Sequence, residues 1–189
     1  LQHPGLRPEA GGQVIGALVQ LYERTGRARR AQELLTESAG NDPRNPAWPY
    51  QLARALAREG AFAAAADAMK RAVDMTERRN DVVVGEWLEL LVLAGRAPEA
   101  IAAYEQLPEE VRSPPVRVAA AKAYRAVQRP EDAAHEVQEA IAGAARVDNL
   151  AALRQITESL LRRTRIEGQP VGFFAPAEII DAFRALAAS

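Results

Sequence analysis

The chain repeats itself about every 34 residues. Glycines stand at Gly26, Gly60 and Gly95, with Gln128 in the fourth slot, at intervals of 34, 35 and 33 residues. Five residues after each slot comes an alanine: Ala31, Ala65, Ala100 and Ala133. Four residues before it lie Tyr22, Leu56, Leu91 and Tyr124, and eight before it Leu18, Leu52, Trp87 and Ala120. Nine after it stand Leu35, Met69, Tyr104 and Val137, and twelve after it Ser38, Ala72, Leu107 and Ala140. A repeat of this length is the mark of a solenoid of supersecondary units. One amphipathic hairpin cannot bury its apolar face alone, but stacked hairpins can.

Each column has a physical reason. Glycine takes the left-handed conformation that closes a helix without a Cβ penalty. The alanine lets the second helix of a hairpin come close to the first, and the larger columns fill the space between hairpins. Asn45-Pro46 and Ser113-Pro114 read as helix N-caps followed by proline in the first turn. Asp42-Pro43-Arg44-Asn45 reads as a turn between hairpins. The pattern predicts helices over 13–25, 28–40, 46–59, 62–78, 81–94, 97–106, 114–127 and 130–145. Composition agrees: 40 residues are alanine, the best helix former, and runs with a strand's alternation are too few for a sheet.

With the period, the Leu-x-x-x-Tyr/Leu pattern before the glycine, the alanine after it and the Asp42–Asn45 junction in view, the chain resembles the tetratricopeptide repeat family over about Gly12 to Ala145. The resemblance implies an all-α fold, a right-handed α–α superhelix of four to five helical hairpins. On this reading residues 1–11 are the end of a preceding repeat or a linker, and 12–147 are four repeats. Residues 148–189 are a degenerate fifth hairpin or a pair of capping helices, with an amphipathic helix from Asp148 to Arg165 and a last one from Pro176 to about Ala188. The chain is expected to be a block from a longer bacterial array. Val19 and Leu88 are larger than the family prefers in their column, so those helices are expected to sit slightly apart. Pro108 shortens the third repeat's second helix, and a change of superhelical pitch is expected there.

Chemistry is sparse. The absence of cysteine excludes disulfides and thiolate nucleophiles, and leaves bacterial cytoplasm and periplasm equally open. Of two histidines, His3 lies near the chain start. The run His135-Glu136-Val137-Gln138-Glu139 is half of a zinc-protease helix whose second histidine is replaced by Glu139, so it reads as a solvated helix face. No phosphate-cradling glycine loop and no serine with a His/Asp partner stand out, so no catalytic residue, metal or cofactor is expected. No apolar run is long enough to cross a bilayer, and no membrane insertion is expected. The 22 arginines against two lysines (Lys70 and Lys122), with so much alanine, read as the imprint of a GC-rich genome rather than a phosphate-binding device. A net charge of −1 argues against nucleic-acid binding.

What remains is binding. In the family, the first helices of successive repeats line a concave groove. The resemblance places Gln13, Gln20, Glu23 and Arg24 there from the first repeat and Tyr50, Arg54 and Arg58 from the second. The third adds Val82, Glu89, Val92 and Leu93, and the fourth Lys122 and Arg125. The expected binding set is Gln20, Arg24, Tyr50, Arg54, Arg58, Glu89, Lys122 and Arg125. Its basic bias fits a partner protein or peptide with an acidic segment, because arginine bonds carboxylates bidentately. The family's clamp for acidic chaperone tails is missing: its places hold Gly16, Gln20, Gln51, Val82 and Glu86. The expected function is a non-catalytic protein-interaction scaffold. The alternatives are a periplasmic segment of an exopolysaccharide synthesis or export protein that docks an enzyme or regulator, and an RNA-binding helical repeat.

Overall fold

The computed structural model describes residues 8–146, 150–162, 164–166 and 169–188, with side chains described from Val14 to Ala145, Leu150 to Arg162 and Gly172 to Ala185. His3, the side chain of Gln13 and Asp148 lie outside these. The chain divides into two compact units, Leu1–Met75 and Thr76–Ser189.

The first unit holds helices α1 (Pro8–Arg24), α2 (Ala28–Asn41), α3 (Ala47–Arg58) and α4 (Phe62–Met75). They pack in chain order, α1 on α2, α2 on α3 and α3 on α4. Val19, Ala31, Leu35, Trp48 and Ala55 form a buried cluster here, with Ile15, Tyr22, Leu34 and Leu52 against it. The Asn45 side-chain oxygen accepts the Ala47 amide at 3.0 Å and so caps α3. The helix expected to reach residue 78 stops at Met75, because Glu77 and Arg78 both take positive φ, 52° and 58°.

The second unit begins with α5 (Asp81–Leu93) and α6 (Ala97–Glu105), followed by a 3₁₀ turn (Glu109–Val111). Then come α7 (Pro114–Ala126), α8 (Pro130–Arg146), α9 (Leu150–Leu161) and α10 (Pro176–Ala188). Asn80 caps α5 by accepting the Val83 amide at 3.2 Å. Pro108 limits α6 to nine residues, against 17 in α8. The linker that follows is tied down: Leu107 and Val111 are buried, and Arg112 donates to the carbonyls of Leu107 and Glu105. Helix α7 packs on α5, α6, α8 and α9, and α10 packs on α8 and α9. One feature was not foreseen. Strands β1 (Thr164–Ile166) and β2 (Gln169–Val171) pair antiparallel between α9 and α10, where the sequence reading placed the end of a helix and a loop.

The repeat columns become one recurring device. Gly26, Gly60, Gly95 and Gln128 take φ of 71°, 78°, 75° and 60°. In each case the slot's amide donates to the carbonyl three residues back, and the next amide to the carbonyl five residues before itself. The second bond runs from Arg27 to Tyr22, Ala61 to Leu56, Arg96 to Leu91 and Arg129 to Tyr124, at 2.7–3.0 Å. These are four Schellman closures. The four column alanines Ala31, Ala65, Ala100 and Ala133 are each 0% exposed, so close helix approach is required in every hairpin. Val19 and Leu88, the oversized members of their column, are buried all the same.

Candidate functional site

In the first unit, the expected binding residues lie on the exposed sides of α1 and α3. Gln20, Arg24, Arg54 and Arg58 are exposed and Tyr50 is half-buried. Arg54 stands 5.6 Å over the Tyr50 ring and donates to its hydroxyl at 3.4 Å. One turn apart on α3, the two hold each other as a flat amphipathic plate. Arg58 is ion-paired with Glu23 of α1, which ties the two helices and cancels its charge. Arg24 and Arg54 are the cations of this face without a carboxylate partner among the described residues.

In the second unit, the charged members meet partners inside the chain. Lys122 is 2% exposed. Its ammonium donates to Glu89 at 2.7 Å and to Ser159 of α9 at 3.1 Å. A charge taken this far out of water persists only with a close counter-ion and further hydrogen bonds, and both are present. Lys122 is therefore an internal strut between α5, α7 and α9 rather than an open contact. Arg125 pairs with Glu178 at the start of α10 and stands 5.8 Å over the Phe174 ring. Val92, also expected in the groove, is buried.

Around Lys122 lies a cavity of about 600 Å³, open to solvent. Helix α5 contributes Asp81, Val82, Gly85, Glu86 and Glu89, and α7 contributes Pro115, Val118, Ala119 and Lys122. Helix α9 contributes Ala152, Gln155, Ile156 and Ser159, and Arg162 follows just after it. On each helix the spacing follows the three-and-four rhythm of a single face. Gly85 and the small residues of α7 and α9 leave the space. A Cβ on Gly85 would meet Val116 and the Pro115 backbone at 3.6–3.7 Å. The Ser113 hydroxyl, at the α7 N-terminus, is buried at the cavity wall without a protein partner and makes no cap bond. Sequence reasoning named Val82, Glu89 and Lys122 of this lining but not the other α5 and α7 members, and missed α9. Its face 152, 155, 156 and 159 was legible as a period, yet nothing local said that it would lie against α7.

A polar cluster on the other side of α7 has a structural role. Glu136, read from sequence as part of a solvated face, is instead 7% exposed. It accepts the Tyr104 hydroxyl at 2.5 Å and the Arg117 guanidinium at 2.9 Å. Arg117 also pairs with Glu109 of the linker, and Arg112 lies 5.0 Å over the Tyr104 ring. Burial, then the bond to Glu136 and its charge, push the Tyr104 phenol well above its ordinary value. The cluster clamps α6, the linker, α7 and α8 in one register. Among the described residues no group of three His, Asp or Glu side chains could hold a metal, and no helix is long and apolar enough to cross a membrane.

No family profile and no curated protein matches the sequence. Solved structures do. A double mutant of MamA from strain RS-1 superposes with a TM-score of 0.57 at 14% identity, over 94% of this chain and 97% of that one. A putative kinesin light chain with TPR-like repeats from Podosopora anserina gives 0.58 at 16% identity, over 93% and 92%. The fold is a tetratricopeptide-like helical repeat. Residues 41 to the end of MamA from Desulfovibrio magneticus RS-1 give 0.57 at 14% identity, over 92% of this chain and 95% of that one. At such identities the likeness is one of fold.

Proposed function

We propose that this chain is a protein-binding scaffold, and that a partner segment lies along the faces of the first helices of its hairpins. The cavity between α5, α7 and α9 carries the reading. It is large enough for several side chains, it is lined from α5, α7 and α9, and its Lys122–Glu89 pair, with the lysine buried, holds the wall in place. A recess with its shape already set loses little ordering entropy on binding. The Arg24 and Arg54 face of the first unit supplies a separate patch for an acidic stretch, with Tyr50 as its apolar plate.

Capture from a lysate of the source organism tests this. Three baits are compared: the unmodified chain, Ala152→Trp to fill the cavity, and Arg24→Glu with Arg54→Glu to reverse the first-unit face. Circular dichroism checks that each stays helical. The expected result is a partner retained by the unmodified chain and lost from at least one folded variant. Equal capture by all three would refute the proposal.

A further inference from the structure

The cavity's polar groups say what kind of segment it takes. An ammonium has three N–H donors. Lys122 uses two, on Glu89 and Ser159, and the third has no acceptor among the described residues. A carbonyl of a bound segment would complete it.

The walls select the side chains. Gly85, Ala119, Ala144 and Ala152 leave room for short branched apolar groups, and Val82 stands at the rim 54% exposed. The described lining carries three carboxylates (Asp81, Glu86, Glu89) against two cations (Lys122, Arg162), a net charge of −1. Glu89 is satisfied by Lys122, and Glu86 is engaged within the chain. Asp81, in the first turn of α5, has no ion-pair partner among the described residues. We infer that this cavity binds an extended segment with small branched apolar side chains and a lysine or arginine set against Asp81. This rests on the scaffold reading and sharpens it: the second unit takes a basic-apolar segment, not an acidic tail.

The test uses fluorescein-labelled, capped heptapeptides with centres drawn from Val, Ala, Ile and Thr, one set with lysine flanks and one with glutamate flanks. Binding to the whole chain is read by fluorescence anisotropy. Because the protein has no cysteine, Gln155→Cys gives a unique handle on the cavity wall. It is labelled with a bulky maleimide after folding, so a block cannot be confused with misfolding. Lysine-flanked peptides should bind at least about tenfold tighter than glutamate-flanked ones, since like charges brought together cost several kcal/mol. The maleimide block should abolish binding, and Asp81→Asn should weaken it about threefold, the scale of a solvent-accessible ion pair. Equal or tighter binding of the glutamate set, binding that survives the block, or no binding by either set would each overturn the inference. A partner captured from lysate despite any of these would leave the scaffold reading standing.

Discussion

Gln128 makes the repeat's backbone logic measurable. It holds φ of 60° in a slot where the other three copies use glycine, and its side chain is exposed. A residue with a Cβ in this region carries a strain of about 1–2 kcal/mol. Glycine in its place removes the strain but loses about 0.5–1 kcal/mol more conformational entropy on folding. Gln128→Gly should therefore stabilise the chain by about 0.5–1 kcal/mol, a rise in Tm of ~1–4 °C for a protein of this size. The reciprocal change, Gly95→Gln, should destabilise by a similar amount. A Cβ built on Gly95 meets nothing within 4 Å, so that loss would be conformational and not steric. Urea and thermal melts of both variants and of Gln128→Ala form the assay. Alanine keeps the Cβ and should not reproduce the glycine gain. If Gln128→Gly proved neutral or destabilising, or if Gly95→Gln cost nothing, the four slots would not be conformational equivalents and the reasoning would fail.

Leu91 is fully buried while Leu56 is only half-buried. Leu91→Ala should cost about 2–5 kcal/mol and Leu56→Ala clearly less, and equal losses in urea titrations would contradict the packing described. Glu136→Ala should cost more than Tyr104→Phe, because it removes the charged acceptor shared by the Tyr104 hydroxyl and the Arg117 guanidinium and leaves Arg117 only Glu109, whereas Tyr104→Phe removes two hydrogen bonds at about 1 kcal/mol each and keeps the ion pair; the order of the two melts decides. The Tyr104 and Tyr124 phenols are both raised above their ordinary value of 10.0 by burial and neighbouring carboxylates, so the folded state holds these protons more tightly. That contribution is fully present below about pH 10 and is lost as pH rises further; in alkaline melts Tyr104→Phe should flatten the decline, and an unchanged slope would refute it. Arg54→Ala should change stability by less than about 0.5 kcal/mol, as an exposed side chain does, while weakening capture of an acidic partner.

The hairpins were legible because their signals are local or strictly periodic. The glycine slot, the alanine five residues on and the large residues around them each report on a bond or a contact within one hairpin. All four alanines are buried and all four slots close as Schellman motifs. Helix ends were read less well where the chain departs from that chemistry. Glu77 and Arg78 enter the left-handed region with no glycine to announce it. The β1–β2 ribbon rests on three-residue strands, too short to leave an alternating pattern.

The candidate site was half legible, for a reason that bears on its use. Face periodicity puts Lys122 and Arg125 on the same side of α7, and from sequence both look like free cations. Their carboxylates come from 33 residues upstream, at Glu89, and 53 downstream, at Glu178. Pairings at that range depend on how hairpins stack, which no local pattern encodes. The consequence is chemical. In the second unit the lysine and arginine that favoured an acidic partner are paired within the fold, Lys122 with Glu89 and Arg125 with Glu178, and Ser159 accepts a further hydrogen bond from Lys122. The recess that α9 helps to close keeps Asp81, with no ion-pair partner among the described residues, and apolar side chains on its walls. Charge counted along the sequence thus differs from charge counted after pairing, and it is the paired structure that a partner meets.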